Sequence, residues 1–235
     1  MDFKLKLKRE SEKINLFIDE DQLTKFELFY NELVEYNKKV NLTAITDCED
    51  FINKHIIDSL IPLGFINGFV NILDVGSGAG FPAIPLKIMS NTLNVVCLDS
   101  VNKKVKWLDY IGNKLLLSNF KAVHARCEDL AFSPLFRDNF DCVVSRGVAN
   151  LSTLIEYCVP FVKCGGYFVA YKASGYKEEL DNAQKAIKLL DIHLEKIISF
   201  NNDSIGERNV LVFKKLNKTN IKYPRKQNKP RLNPL

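Results

Sequence analysis

Apolar positions along the chain change their period once, and the change divides it into two parts. Between Glu20 and Val40, Leu23, Phe26, Phe29, Tyr30, Leu33 and Val34 recur at helical spacing behind the candidate caps Asp19 and Asp21, which predicts one amphipathic helix. After the polar break NLTAITD, the positions Phe51, Ile52, His55, Ile56 and Leu60 predict a second helix from about Cys48 to Leu60, ended by Pro62, Gly64 and Gly68. Then alternation begins. Apolar runs of strand type at Val70 to Val75, Leu93 to Leu98, Phe120 to His124, Phe140 to Ser145 and Tyr167 to Tyr171 are separated by further segments. Helical patterns occupy Ala83 to Ser90, Asn102 to Leu117, Leu151 to Val162 and Lys177 to Leu190. Two extended runs, His193 to Phe200 and Asn209 to Phe213, close the series across the polar turn NNDSIGER with no helix between them, so they form a hairpin.

Repeated strand and helix imply an α/β fold, a doubly wound, mostly parallel sheet of seven strands whose last strand is antiparallel. The division expected is an N-terminal helical extension over 1–65, a central domain over 66–216 and a tail over 217–235.

Composition adds limits. A hydrophobic share of 46% suits a globular core. No uncharged apolar run reaches about 18 residues, and MDFKLKLKRE lacks an apolar centre, so neither a membrane span nor a secretory signal is expected and the cytoplasm is the expected compartment. Six cysteines form no C-x-x-C pair and only three histidines accompany them, so no metal or disulfide framework is expected. Cys97 and Cys142 read as buried thiols. The net charge of +5 is uneven: eight Lys or Arg and no acid lie between Lys214 and Leu235, and removing them leaves −3 for the rest. Such a tail reads either as a solvated, frayed segment or as a contact for a polyanion.

Chemistry gathers at NILDVGSGAGFP, where an apolar run ends in Asp74 and meets Gly76, Gly78 and Gly80. Glycines there permit a sharp turn and close approach to a bound molecule. Asp99 ends the second strand 19 residues beyond Gly80, the distance at which an acid meets ribose hydroxyls. It reads alternatively as a turn residue. Glu128 follows the third strand and borders the same crevice, or caps a helix with Asp129. Arg146 directly follows the fourth strand, and its fixed donors suit a carboxylate, a phosphate or a guanine edge. A nicotinamide-dependent oxidoreductase would share the glycine turn and Asp99.

The antiparallel last strand resembles that of the class I S-adenosylmethionine-dependent methyltransferases. The blocks NLTAI, KHIIDSL, ILDVGSGAGFPAIPLKI, LDSVNKK, ARCEDL, VVSRGVANL, YKASG and the terminal YPRK-x3-P-x3-PL together resemble the bacterial 16S ribosomal RNA guanine-N7 methyltransferases, the glucose-inhibited division protein B family. The resemblance implies S-adenosyl-L-methionine as donor and N7 of guanine 527 of 16S rRNA, within the small ribosomal subunit, as acceptor. It implies cofactor contacts at Gly76, Phe81, Cys127, Glu128 and Arg146, beside Asp74, Gly78 and Asp99 from the reading above. Asn41, His55, Asp58 and Ser59 are implied to face the active-site crevice, although His55 and Asp58 also read as a local helical pair. The chain departs from the family at Ala83, where glycine is common, and at Asn228 and Asn233 in the tail, and a non-catalytic ribosome-assembly factor is the alternative to an enzyme.

Guanine N7 carries a free lone pair and no proton, so direct in-line transfer needs no general base and no catalytic acid or base is expected. SRGV stands where exocyclic-amine methyltransferases carry Asn/Asp-Pro-Pro-aromatic. Cys158, before Val159 and Pro160 in a helical pattern, reads as core and not as a nucleophile. Positioning falls to Arg146, Arg126, Asn41 and His55, with Arg126 or Arg146 donating to guanine O6 or a phosphate. Lys222, Arg225, Lys226, Lys229 and Arg231 are expected to track RNA phosphates, and a monomer is expected.

Overall fold

The computed structural model describes residues 2–202 and 204–235. Its sheet runs β3-β2-β1-β4-β5-β7-β6, with β1 Asn71–Val75, β2 Asn94–Asp99, β3 Phe120–His124, β4 Phe140–Arg146, β5 Val162–Lys172, β6 Ile192–Asn202 and β7 Gly206–Lys215. The first five strands are parallel. β7 inserts between β5 and β6 and is antiparallel to both. The chain steps outward from β1 to β3 and then returns to place β4 on the other side of β1, so a crevice opens above the C-terminal ends of β1 and β4.

The N-terminal helices are α1 Phe3–Glu12, α2 Glu20–Asn37, α3 Cys48–Asp50, α4 Asp58–Leu60 and α5 Leu63–Ile66. A π-helical segment, Phe51–Ile57, joins α3 to α4 in one continuous rod. Asp19 starts α2 through a capping box, accepting from Gln22 N at 2.8 Å while Gln22 Oε1 accepts from Asp19 N at 3.0 Å. The sequence pattern gave no warning of α1, because only Phe3 and Leu7 of its large apolar residues are buried among charged neighbours and Leu5 is exposed.

The remaining helices are α6 Ala83–Met89, α7 Asn102–Lys114, α8 Cys127–Leu130, α9 Leu151–Cys158, α10 Tyr176–Asn182, α11 Gln184–Leu189 and α12 Lys229–Leu232. Three expected helices differ. The segment Lys177 to Leu190 breaks at Ala183 into α10 and α11. α7 ends before Leu116, which takes a left-handed φ of 53°. α9 stops ahead of Pro160 and passes into a 3-10 turn, Val159–Phe161, because proline supplies no amide for the next bond. The last two strands run longer than their apolar cores, since backbone pairing continues through polar positions, Asn201 with Glu207 and Asn202 with Gly206 at one end and Ile192 with Lys215 at the other, and Glu195 is passed over at a register shift.

Alternate strand residues feed two cores on opposite faces of the sheet. Ile72, Cys97, Cys142 and Val144 join one, which also holds Phe26, Phe29, Leu33, Phe51 and Ile56 from the extension. The helical extension therefore shares its core with the sheet. Leu73, Val143 and Phe168 join the other, beneath α9 and α11. The basic tail is not frayed: Thr219, Tyr223 and Pro230 are buried, and Arg137 donates to the carbonyls of Thr219, Asn220 and Tyr223 at 2.9 to 3.2 Å.

Candidate active site

The turn after β1 folds back on β2, with Gly76 N and Ser77 N both donating to Leu98 O at 2.8 and 3.2 Å. Gly76 holds φ +77°, and a Cβ there would fall 2.4 Å from Val148 Cγ2, so no larger residue fits without displacing Val148. Asp99 ties the turn to its own strand: Oδ2 accepts from Gly78 N and Oδ1 from Val101 N, both at 2.9 Å. Each oxygen keeps a lone pair for a further donor.

A cavity opens beside this turn. Val75, Gly76, Leu98, Asp99 and Ser100 form one wall, Ala125 to Glu128 a second, and Val148, Ala149 and Tyr157 a third. Asn228 and Arg231 complete it from the tail. Glu128 is buried, with Arg126 Nε 3.4 Å and Cys127 Sγ 3.4 Å from its oxygens. Burial, and then the neighbouring Glu128 charge, push the Cys127 thiol up, so it stays protonated.

Asp74 lies under the turn, wholly buried, with no hydrogen-bond partner for either carboxylate oxygen among the described residues. Burial pushes its pKa up to about 8. Ser77, the Ala83 amide and Arg146 pull the other way without reaching it, and the Ser77 hydroxyl donates instead to Asp74 O at 3.0 Å.

A second cluster stands where the extension meets β4. Arg146 Nη1 donates to Asp58 Oδ2 at 2.5 Å and to Lys54 O at 3.1 Å, and its Nη2 lies 3.1 Å from His55 Nδ1. The other Asp58 oxygen is 3.2 Å from Arg208 Nε on β7. His55 stacks on Phe81 with ring centres 4.1 Å apart at 15°, and Arg146 Cζ lies 5.2 Å from the centre of the same ring. Asp58, Arg146, Tyr171, Lys172 and Arg208 line a second cavity. It meets the first at Ala149.

The residues singled out in the sequence thus fall into groups. Gly76, Asp99, Cys127, Glu128 and Arg126 line the first cavity, with Gly78 fastened to Asp99 at its edge. Phe81, Arg146, His55 and Asp58 meet around the second cluster, and His55 and Asp58 both contact Arg146. Ser59 is buried and donates to His55 O, while Asn41 is exposed outside both cavities. Tyr157, Arg208 and Lys172 also line the cavities without a sequence signal, because Tyr157 reads as one more apolar helical position and Arg208 as part of a polar turn.

The first cavity suits an adenosine-bearing group on this geometry. Two carboxylates border it, Gly76 lines it, and an unpartnered buried carboxylate lies under the same turn.

A profile of the rRNA small subunit methyltransferase G family matches residues 22–211. The chain belongs to this family. Two relatives, both called ribosomal RNA small subunit methyltransferase G, come from Clostridium tetani and Acetivibrio thermocellus. The first is 44% identical over 216 residues, covering 91% of this chain and 90% of its own. The second is 44% identical over 220 residues, covering 93% and 90%. Among solved structures, the ribosomal protein L11 methylase of Lactobacillus delbrueckii subsp. bulgaricus superposes with a TM-score of 0.53 at 14% identity, over 68% of this chain and 77% of that one. P. horikoshii TYW2 in complex with MeSAdo gives 0.53 at 12% identity, over 68% and 61%. Those likenesses carry the fold alone. As a member of the methyltransferase G family, the chain is a methyltransferase built on the class I sheet. No helix among the described residues is long and apolar enough to cross a membrane, and no cluster there would hold a metal ion.

Proposed function

We propose that the protein methylates N7 of guanine 527 in 16S rRNA of the small subunit, with S-adenosylmethionine bound in the first cavity and the guanine entering beside Arg146. The observation that carries this reading is the pair of cavities meeting at Ala149, one bordered by Asp99 and Glu128, the other by Arg146, Arg208 and Lys172. The cofactor supplies an electrophilic methyl on a positive sulfur. Asp99 would accept from the ribose hydroxyls, and Glu128 with the Cys127 backbone would meet the adenine.

Guanine N7 has no proton to remove, so the residues need only align it. Alignment of bound reactants supplies up to roughly 7–11 kcal/mol. His55 suits that arrangement, since both of its nitrogens are engaged and burial, reinforced by Arg146, pushes its pKa down to about 3. It orients Arg146 and abstracts nothing. Arg146 and Arg208, held by one carboxylate, present donors for O6 or a flanking phosphate. Outside the cavities, Lys222, Lys226 and Lys229 are exposed on the tail and would face phosphates.

The test is methyl transfer from labelled S-adenosylmethionine to small subunits lacking the modification, followed by mapping of the labelled nucleotide. Label at N7 of guanine 527 is expected. Label at another nucleotide, or on protein, would refute the reading.

A further inference from the structure

α9 buries all eight of its residues, yet it carries Thr153, Glu156 and Tyr157 at the i, i+3 and i+4 positions of one face. All three grip the C-terminal segment. The Thr153 hydroxyl donates to Pro230 O at 2.8 Å, and the Tyr157 hydroxyl donates to Asn228 Oδ1 at 3.2 Å. Between them, the fully buried Glu156 carboxylate accepts from Arg225 N at 2.8 Å, Nε at 2.9 Å and Nη2 at 2.7 Å. A carboxylate inside an apolar helix is tolerated only with such a partner. This face of α9 is therefore built to hold one segment in one place.

The place it fixes is the cavity mouth. Asn228 takes a left-handed φ of 57°, which asparagine accepts more readily than most residues, and this turns the chain into α12. Asn228 and Arg231 then line the same cavity as Asp99 and Glu128. The Arg231 guanidinium is exposed and has no hydrogen-bond or ion-pair partner among the described residues. A planar guanidinium stacks on a purine face and donates to ring nitrogens.

We propose that the C-terminal segment is the outer wall of the cofactor cavity, with Asn228 and Arg231 as binding residues for an adenosine moiety and the Glu156–Arg225 pair as the positioning clamp. The proposal rests on the S-adenosylmethionine reading above. It separates the tail's two faces: Lys222, Lys226 and Lys229 are exposed on the outside, while Arg225 and Arg231 serve the cavity. Because the wall and the ligand share contacts, tail docking and cofactor binding strengthen each other by the same factor.

The test is calorimetric titration of the full chain with S-adenosylhomocysteine, alongside hydrogen exchange of amides 223–232. Arg231→Ala, a surface change that leaves the clamp intact, is expected to weaken binding about tenfold. The double variant Glu156→Gln/Arg225→Gln is expected to weaken it similarly and to speed exchange across 223–232, which the ligand slows in the parent. The salt slope of RNA binding should be unchanged by Arg231→Ala. Parent-like affinity in both variants, or exchange indifferent to ligand, overturns the proposal. So does a slope lowered by about one in Arg231→Ala, which would make Arg231 a phosphate contact. A parent that binds no S-adenosylhomocysteine overturns the cofactor reading and the wall with it.

Discussion

Arg146 sets the tautomer of His55. Its Nη2 lies 3.1 Å from His55 Nδ1, and a guanidinium only donates, so Nδ1 accepts and the ring proton sits on Nε2, directed at Thr43 Oγ1 3.0 Å away. Burial, and then the Arg146 charge, hold the imidazole pKa near about 3, well below its ordinary 6.5. The unfolded chain therefore binds a proton that the folded one refuses, so stability from neutral His55 is complete above pH 6.5 and falls as the pH drops toward 3. Thermal unfolding of parent and His55→Gln between pH 7 and pH 4 should show a flatter decline in the variant. Identical slopes would place the acid sensitivity elsewhere.

Arg146→Ala removes the donors between the extension and β4. Methyl transfer should fall by at least about a hundredfold, while circular dichroism at 25 °C keeps the parent's shape and the unfolding midpoint drops. Arg146→Lys restores a charge for Asp58 but not the fork that also reaches His55 and Lys54 O, so it should recover stability better than turnover. Parent-like turnover in Arg146→Ala would remove this residue from the site.

Asp74 titrates in the opposite sense. With its pKa raised to about 8, the folded chain holds a proton that the unfolded chain has lost above 3.8, so this group weakens the fold progressively as the pH rises between those values. Asp74→Asn should therefore gain stability relative to the parent at pH 8 compared with pH 5, by urea titration. A difference independent of pH would show that the carboxyl is not protonated in the fold.

Of the five tail cations expected to meet phosphates, Lys222, Lys226 and Lys229 remain for that role once Arg225 is clamped and Arg231 faces the cavity. Replacing all three by glutamine should flatten the plot of log affinity against log salt for RNA by about 2 to 3. Filter binding across a salt series measures this, and an unaltered slope assigns the phosphates to another surface.

The sheet was legible because its strands are short apolar runs bounded by turns, and the register follows once Ile72 and Leu73 take opposite faces. Gly76, Asp99 and Glu128 were legible as a cavity because each lies at or just beyond the C-terminal end of a neighbouring parallel strand, where topology alone brings them together. Side-chain direction was not. Phe81 follows the glycines in sequence, but its ring packs against His55, Phe29 and Phe51 in the aromatic core of the extension. The tail's charge concealed its inner face: Arg225 looks like a phosphate ligand until the buried Glu156, distant in sequence, is found beneath it. No local pattern encodes a partner 69 residues away.

The π-helical segment gives the extension a phase. Asp58 N donates back to Asn53 O, one residue farther than an α-helix would reach, and this extra residue sits between the aromatic anchor Phe51 and the ligand Asp58. Drawing the segment back to α-helical form by losing one residue would rotate one end against the other by about 100°. Phe51 could then stay seated against Phe29, or Asp58 could stay on Arg146, but not both. The length of this rod is thus part of the site's grammar, as binding as the identity of any side chain it carries.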